Sequence, residues 1–292
     1  MPSKQILTNN FLPESPLTMY GLMDLHSHTT RCLHARGDME AYVQRAIELG
    51  LHDFGFSDHS HWMLHDNERR YAMLAEELDG YVAEVHRLQG TYNRQGEQPF
   101  RIRLGMEMDF IPSRLSEARA VQGRYAWDYI IGSVHNIGFE KLQEAEMYAR
   151  WHIEDVCELY FHHVGMMVRE RFCDIIGHLD LPKKMGCRPH GGMNAYIEPL
   201  IPEILAAGMA VEINTSGYDA PAQESMPGLE TIELLAAKGV PLTLGSDAHA
   251  PHQVGRHFSE MLSQLCAIGV HELVRFEGRK KIAVPLATLT YG

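Results

Sequence analysis

The stretch that decides the fold is Met23-Asp24-Leu25-His26-Ser27-His28, a short apolar run that ends in two histidines separated by one residue. Side chains alternate between the two faces of an extended strand, so His26 and His28 point in the same direction. Two imidazoles directed at one point are typical of a metal site. Two polar residues that simply face solvent would give the same pattern, so patterns elsewhere in the chain are needed to distinguish the two interpretations.

Later predicted strands also carry polar residues at their C-terminal ends, in most cases a histidine or a carboxylate. These strands are predicted at residues 53–59, 101–106, 128–135, 173–180, 209–214 and 240–244. Helices are predicted at residues 39–49, 67–93, 113–122, 151–172, 195–207 and 229–238. The stretch from residue 260 is expected to hold one more helix and a short strand-like tail.

This regular alternation predicts an α/β fold with parallel strands joined by helical crossovers. An open doubly wound sheet would gather its ligands at one switch point. Here nearly every strand ends in polar residues, which favours a closed barrel with its site at the C-terminal face of the strands. Neither G-x-G-x-x-G nor G-x-x-x-x-G-K-[ST] occurs, so a nucleotide cofactor has no support.

Composition is that of a globular chain, with 292 residues, 45% hydrophobic and 22% charged. One barrel domain over residues 1–292 is predicted, with residues 1–20 as an N-terminal extension that lacks the features of a signal peptide or a membrane span. The five cysteines are odd in number and include no C-x-x-C, which argues against a disulfide framework. We therefore expect a cytoplasmic protein that does not associate with membranes.

The charge balance concerns possible partners. With 26 basic and 38 acidic residues the net charge is −12, which disfavours nucleic acid as a partner. Bound divalent ions would offset this charge locally, so a small anionic substrate remains compatible with it. The sequence does not decide how chains assemble, and a homodimer is left open.

The strand ends and the loops after them supply nine metal-donor side chains. They are His26, His28, His34, His59, Glu107, His135, His178, Asp247 and His249. Nine donors exceed the three or four ligands of one zinc site, so two or three ions are expected. Mixed imidazole and carboxylate ligands favour zinc, iron or manganese over calcium or magnesium. Each of the two carboxylates could bridge a pair of ions.

A ligating imidazole needs a hydrogen-bond partner on its other ring nitrogen. Asp24, Asp58 and Asp180 stand beside candidate ligands in the sequence and are predicted to fill this role. The alternative is that these carboxylates cap loops or helices. For Asp180 the two interpretations are equally well supported.

Seven motifs in this chain resemble those of the PHP (polymerase and histidinol phosphatase) superfamily, in the same order. They are Asp24-x-His26-x-His28-Thr29, Ser57-Asp58-His59, Gly105-Met106-Glu107, Gly132-Ser133-Val134-His135, Gly177-His178-Leu179-Asp180, Glu212-Ile213-Asn214-Thr215-Ser216-Gly217 and Gly245-Ser246-Asp247-Ala248-His249. The resemblance spans roughly residues 22–258, and the chain is most similar to the histidinol-phosphate phosphatases of that superfamily. It implies a distorted (β/α)7 TIM-like barrel, three metal ions held by the nine donors, and a phosphatase of histidine biosynthesis.

One departure from the family concerns phosphate binding. After Ser216-Gly217 the phosphatases commonly carry basic residues, whereas this chain has Tyr218-Asp219-Ala220. A cation that the resemblance leads us to expect is therefore missing. Other cations that follow ligand-bearing strands become the candidates for substrate binding. They are Lys183, Lys184, Arg188 and Arg256.

The chemistry expected of such a site is hydrolysis of a phosphate monoester, whose dianion repels nucleophiles. Clustered ions lower the pKa of bound water towards about 7 and neutralise the phosphoryl oxygens. No D-x-D-x-T motif and no cysteine nucleophile at a strand end is present, so we expect in-line attack by a metal-bridging hydroxide. The candidate general acids are His61, His252 and Asp58, and His65 is also close enough to a strand end to contact substrate.

Three other functions remain open. A phosphoesterase of the same superfamily could act on a nucleotide or a sugar phosphate. An amidohydrolase-like metal enzyme would use a similar barrel, but it usually places a carboxylated lysine at a middle strand end, and no predicted strand contains lysine. A non-catalytic metal-binding domain is the third, although such a domain would be expected to have lost ligands.

Overall fold

The computed structural model of the chain describes residues 21–62, 71–96, 98–138 and 140–286. The predicted extension at residues 1–20 lies outside these residues. So do His65 and the first residues of the helix predicted at 67–93. All statements about the fold and the site below concern the described residues.

Within those residues, seven parallel strands form one sheet whose strand order follows the chain. They are β1 (Met23–Asp24), β2 (Asp53–Phe56), β3 (Arg101–Asp109), β4 (Tyr129–Ser133), β5 (Ile175–Ile176), β6 (Ala210–Asn214) and β7 (Leu242–Gly245). The predicted α/β barrel is confirmed. It is distorted, because β1 and β5 have only two residues each in regular pairing.

Backbone contacts close the sheet between its first and last strands. Leu25 N donates to Leu244 O at 3.1 Å, and His28 N donates to Ala248 O at 2.9 Å. Ser27 and Ala248 also form a parallel bridge just beyond the two strands. Closure brings the C-terminal ends of all strands to one rim, where side chains far apart in sequence can meet.

Tyr129 of β4 fills the interior of the barrel. The ring is fully buried, and its hydroxyl donates to Leu25 O on the opposite side at 2.6 Å. A Cβ atom on Gly55 of β2 would lie 1.9 Å from this hydroxyl oxygen, and one on Gly105 of β3 would lie 2.3 Å from the ring carbon Cζ. The two glycines are therefore needed because the ring occupies the space that their side chains would take.

Amphipathic helices cover the outside of the barrel. They are α1 (Met39–Glu48), α2 (Leu78–Tyr92), α3 (Leu115–Arg124), α4 (Ala145–Tyr148), α5 (Ile153–Arg169), α6 (Asn194–Ile197), α7 (Ile201–Ala207), α8 (Leu229–Ala237) and α9 (Phe258–Ala267). Helix α1 begins after Asp38, whose side chain accepts a hydrogen bond from Ala41 N at 2.8 Å. None of the described helices has the length and the apolar character needed to cross a membrane.

The C-terminal segment differs from the predicted strand-like tail. It forms an antiparallel hairpin of Glu272–Glu277 and Lys280–Pro285. The hairpin lies at the N-terminal ends of the barrel strands, where Arg275 contacts Asp53 at the start of β2 at 2.8 Å. The two strands pair along their full length, a long-range arrangement that local sequence patterns do not predict.

Candidate metal centre

The nine predicted donor side chains come together at the C-terminal rim of the barrel. Neighbouring imidazole rings lie close: the centroids of His28 and His59 are 4.3 Å apart, and those of His28 and His249 are 4.1 Å apart. His34, from the loop after β1, joins the cluster with its Nε2 2.8 Å from His249 Nε2. The structure therefore brings a loop residue and residues from six strand ends to one place.

Glu107, at the end of β3, lies at the centre of the cluster. Its Oε2 is 2.8 Å from His59 Nδ1 and 3.4 Å from His26 Nε2. Its Oε1 is 3.0 Å from His178 Nε2 and 3.5 Å from His135 Nε2. The two oxygens face two different pairs of imidazoles, which is the arrangement required of a carboxylate that bridges two cations.

Asp247 is the second carboxylate of the cluster. Its Oδ1 lies 3.0 Å from His28 Nε2 and 3.4 Å from His249 Nδ1. Asp247 has φ = +51°, and His178 has φ = +23°, values in the left-handed region that non-glycine residues seldom adopt. Strained backbone of this kind costs about 1–3 kcal/mol per residue and is concentrated at functional sites.

The residues present fit divalent cations. His26 Nε2 and Glu107 Oε2 are buried and have imidazole or carboxylate atoms nearby, but among the described residues none of these contacts has hydrogen-bond geometry. Leaving such groups unsatisfied is costly, and a cation between them would satisfy several at once. Five sets of three donor atoms lie within 4.8 Å of one another, close enough to share an ion, and two of them include the buried Cys32: Cys32/His34/His249 and His28/Cys32/Asp58. The other three sets contain only predicted donors. They are His28/His59/His249, His26/His28/Glu107 and His59/Glu107/His135.

The two carboxylates of the cluster are held in their charged form. Burial opposes the charge, but the surrounding imidazoles outweigh it and hold the pKa of Glu107 and of Asp247 well below the ordinary range. Carboxylates also act on two imidazoles against the effect of burial: Glu212, then Glu107 and Asp247, raise the pKa of His26 well above its usual value, and Asp247 with Asp58 raises the pKa of His28 to about 9. Without metal, these two imidazoles therefore carry protons at neutral pH.

Other histidines of the cluster are kept neutral. Burial, and then the neighbouring imidazoles, lower the pKa of His34 to about 4. The pKa values of His59 and His249 are also lowered, mainly by burial. Neutral imidazoles have free lone pairs, so this part of the cluster can take a cation without first losing protons.

The three carboxylates predicted to orient ligand imidazoles behave differently from one another. Asp58 lies with its Oδ1 3.4 Å from His28 Nδ1, as predicted. Asp24 instead accepts hydrogen bonds from the backbone of Ser246 at 2.9 Å and Gly255 at 3.0 Å, and so ties down the loop after β7. Asp180 accepts from Gly228 N at 3.0 Å. The contacts of Asp24 and Asp180 therefore fit the alternative interpretation, since Asp24 holds backbone N–H groups of a loop, and Asp180 holds Gly228 N and the Lys183 ammonium.

Two carboxylates that the sequence did not single out contact ligand imidazoles. Glu212 Oε1 lies 2.6 Å from His26 Nδ1, and Asp109 Oδ1 lies against His135 Nδ1. The alternation rule could have found Asp109, since it is two residues beyond Glu107 and faces the same way. Glu212 gave a weaker signal, because it lies inside β6 and not at a strand end.

The cluster opens into a cavity of about 500 Å³. Its lining includes donors of the cluster and, further out, Tyr71, Asn136, Gln143, Glu144 and Gln253. Three cationic side chains also line it: Lys141, Lys184 and Arg256. The cavity therefore places positive charge beside a cluster suited to cations, as binding of an anion requires.

Lys183 and Arg188, two of the predicted phosphate-binding residues, do not line this cavity. The Lys183 ammonium is buried between Asp180 Oδ2 at 2.7 Å and Glu224 Oε1 at 2.9 Å. Arg188 Nη2 donates to the same Glu224 at 2.7 Å. The structure therefore does not bring these two cations to the cavity, because Asp180 and the sequence-distant Glu224 pair with Lys183, and Glu224 also pairs with Arg188.

Arg256 and Lys184, the other two, do line the cavity. Arg256 donates to Ser246 O and Asp247 O, each at 2.8 Å, and to Asp219 Oδ2 at 3.1 Å. Asp219, which occupies the position of an expected cation, thus holds a cation that comes from the loop after β7. Lys184 Nζ donates to Gln143 Oε1 at 3.0 Å.

The predicted general acids lie outside the cavity lining. His61 packs edge-on against Trp62 with a centroid separation of 4.8 Å. His252 is exposed on the short 3-10 helix Pro251–Gln253. Asp58 is fully buried and accepts from Thr29 and His59 N. A general-acid role for any of the three stays a prediction.

Comparison with known proteins identifies the family. A family model described as the PHP domain matches residues 24–216. A probable histidinol-phosphatase from Deinococcus radiodurans is 34% identical over 268 residues, which cover 90% of this chain and 99% of the relative. The histidinol-phosphatase of Lactococcus lactis is 25% identical over 269 residues, which cover 88% of this chain and 95% of the relative.

A solved structure has the same fold. It is the histidinol phosphate phosphatase of Lactococcus lactis, crystallised with zinc, L-histidinol and phosphate, and it matches with a TM-score of 0.72 at 23% identity over 90% of this chain and 99% of that chain. The expected resemblance is confirmed by the family match and by the 34% identical relative. The chain belongs to the PHP domain family.

Proposed function

We propose that this chain is a metal-dependent phosphomonoesterase that hydrolyses L-histidinol phosphate to L-histidinol and phosphate. The observation that carries the proposal is the buried cluster of imidazoles and two carboxylates at the floor of a cavity whose wall is cationic. The relatives support the choice of substrate, since one is named a probable histidinol-phosphatase and the other a histidinol-phosphatase. The match to this chain covers almost the whole length of both. The cytoplasmic location stays a prediction.

The donor set supports two or three divalent ions, with zinc, iron or manganese as the metals. Glu107 has imidazoles within 3.5 Å of each oxygen, so it is the residue proposed to be shared by two ions. His34 and His249 form the outer part of the cluster. The nine predicted donors are nitrogen and carboxylate groups, which suit all three metals.

When bound, such ions supply a hydroxide at neutral pH and neutralise the phosphoryl oxygens of the substrate. The chain itself fixes the geometry, because Asp58, Asp109 and Glu212 each contact one ligand imidazole and hold its ring in place. Burial of the cluster excludes bulk water, which strengthens every charge interaction within it.

Arg256 is the residue proposed to position the phosphate. Three of its five N–H donors are committed to Ser246 O, Asp247 O and Asp219, so the guanidinium is fixed while two N–H groups remain for a ligand. Lys184 stands on another side of the cluster, near His135. Two cations on different sides would hold two non-bridging oxygens of one phosphate.

The other functions considered have less support. An amidohydrolase-like site needs a lysine at the metals, whereas Lys183, which follows β5 closely, is bonded to Asp180 and Glu224. A non-catalytic domain is disfavoured by the complete donor set. A nucleotide or sugar phosphate would need to fit the same cavity and is the competing substrate class.

The test is a phosphatase screen of the metal-loaded protein with L-histidinol phosphate, mononucleotides, sugar phosphates and an aryl phosphate. We expect L-histidinol phosphate to have the highest kcat/KM by at least about tenfold, which corresponds to about 1.4 kcal/mol of transition-state binding. Equal rates with the aryl phosphate would remove the substrate assignment and leave the phosphatase assignment in place. Absence of any phosphatase activity would contradict both.

A further inference from the structure

Strand β6 differs from the other six barrel strands. Each of the others, or the loop directly after it, contributes a candidate metal ligand, and β6 contributes none among the described residues. Yet it carries Glu212 and Asn214, and Ser216 follows two residues later, all three buried. The spacing of two places the strand residues on one face, the face directed into the barrel.

Glu212 uses both carboxylate oxygens on residues of the cluster. Oε1 lies 2.6 Å from His26 Nδ1, and Oε2 accepts the backbone N–H of His178 at 2.9 Å. A carboxylate accepts at both oxygens, whereas an amide accepts at only one. Glu212 therefore fixes His26 with its Nε2 directed at Glu107, and it also anchors the backbone of His178, whose φ is +23°.

Asn214 and Ser216 extend these contacts to the other side of the cluster. Asn214 Nδ2 donates to Glu212 Oε2 at 3.2 Å and to Asp247 Oδ2 at 3.4 Å. Ser216 Oγ lies 2.6 Å from Asn214 Oδ1 and 3.2 Å from Asp247 Oδ2. One strand thus contacts candidate ligands that come from β1, β5 and β7.

The neighbouring strand leaves room for this arrangement. A Cβ atom on Gly245 of β7 would lie 2.1 Å from Glu212 Oε1 and 2.7 Å from His26 Cβ. Any side chain at this position would therefore displace the carboxylate from His26. The glycine is needed for the close approach of Glu212 and not for a turn.

We propose that Glu212, Asn214 and Ser216 are positioning residues that set the metal affinity of the centre without binding metal themselves. The proposal rests on the proposed function, because it takes the cluster to be a metal centre. Glu212 fixes the tautomer of His26 and the position of His178. Asn214 and Ser216 orient Asp247, so that one connected set of hydrogen bonds holds ligands on both sides of the centre.

The experiment measures zinc binding by Glu212→Gln, with no substrate present. The metal-free protein is titrated with zinc against a chromogenic chelator, and the His26 tautomer is then followed in the zinc-loaded protein by NMR after 15N-histidine labelling. We expect the Kd for zinc to rise about 10- to 100-fold, the usual result of losing the partner of a ligand imidazole. We also expect a mixture of His26 tautomers, which a purely structural role would not produce.

The matched control is Asp53→Asn, which alters an equally buried carboxylate at the other end of the barrel. It should leave the zinc Kd and the His26 tautomer unchanged. Ser216→Ala removes only the hydroxyl that contacts Asp247, so it should weaken zinc binding by less than Glu212→Gln. If the Glu212 variant does not fold, Ser216→Ala alone tests the proposal. Parental zinc affinity in Glu212→Gln, or in Ser216→Ala if Glu212→Gln does not fold, overturns the proposal, whether or not L-histidinol phosphate proves to be the substrate.

Discussion

The two ends of the barrel bury charge in different ways. At the N-terminal end, Asp53 is fully buried and is paired with Arg103, with Arg275 of the C-terminal hairpin at 2.8 Å, and with His52. At the C-terminal rim, Glu107 is as buried and Asp247 is slightly more exposed, and both have only imidazoles as positive partners within the cluster. Guanidinium groups carry permanent charge, whereas imidazoles carry it only when protonated.

The N-terminal end of the barrel therefore contributes to stability, whereas the C-terminal rim is arranged for chemistry. At the N-terminal end, the charge of Asp53 is neutralised by side chains of the protein, and these ion pairs fix the C-terminal hairpin to strands β2 and β3. At the C-terminal rim, buried atoms of the metal-donor cluster lack contacts with hydrogen-bond geometry among the described residues, and a bound cation would contact them. In barrels of this type the C-terminal face carries the active site and the other face carries stability. Four predictions test whether the two ends are separate in this way.

The largest effect is expected from Glu107→Gln. An amide cannot supply two anionic oxygens, so the ions proposed to share Glu107 would lose a common ligand. Loss of several kcal/mol of charge stabilisation corresponds to about a 10³-fold fall in kcat/KM. Steady-state kinetics with L-histidinol phosphate and metal content by mass spectrometry measure the effect. Retention of full activity and full metal content would contradict the central position of Glu107.

Asp53→Ala should act on stability alone. The substitution removes the most buried counter-ion of Arg103 and leaves the guanidinium with Glu277 at 3.2 Å and Asp128 at 3.8 Å. Breaking a buried ion pair costs about 3–5 kcal/mol, and these remaining partners place the expected loss at the lower end of that range. Urea unfolding measures this loss. The charge partners and His52 hold the pKa of Asp53 below its ordinary value against the effect of burial, so the stabilisation is present above the unfolded pKa and is lost as pH falls through the folded one. If the zinc Kd changes as well, the two ends are coupled.

Arg256→Gln should raise KM for the phosphorylated substrate. A hydrogen bond to a charged group contributes about 1.5–3 kcal/mol, which corresponds to roughly a 10- to 100-fold change. Asp219→Asn should have a smaller effect in the same direction, because it frees the guanidinium without removing it. Arg188→Gln is the control, since Arg188 contacts Glu224 and does not line the cavity. An unchanged KM in Arg256→Gln would remove this residue from phosphate binding.

The smallest effect is the pH dependence of zinc binding. Neighbouring carboxylates raise the pKa of His28 to about 9 from the ordinary 6.5. Its protonated form therefore stabilises the metal-free fold fully below pH 6.5, and this stabilisation is lost as pH rises through about 9. Zinc must displace that proton, so zinc affinity should rise between pH 6.5 and 9, with proton release measurable in weak buffer. A flat profile over this range would show that His28 is already neutral.

The sequence predicted the barrel and the clustered donors for the same physical reason. Parallel strands place their C-terminal ends at one rim, so a local pattern that repeats at strand ends becomes a cluster in space. His26, His135 and His249 could therefore be assigned to one place without knowledge of their contacts. His34 was the least secure of the donors by position, since it lies in a loop.

What the sequence missed depends on partners that are distant in the chain. The ammonium of Lys183 is held by Glu224, and this pairing is not visible in any local pattern. The same holds for Glu212, whose role depends on His26 across the barrel and on the absence of a side chain at Gly245. Competition among charged groups for partners is decided by the packed structure.

Stepwise metal reconstitution of the chelator-stripped protein tests most directly whether the donor cluster is a metal centre required for hydrolysis. Metal content and L-histidinol phosphate hydrolysis are measured in the same samples. We expect the metal-free protein to be inactive and its activity to rise as two or three equivalents of zinc, iron or manganese bind. Full activity in the presence of chelator, with no bound metal, would contradict this expectation.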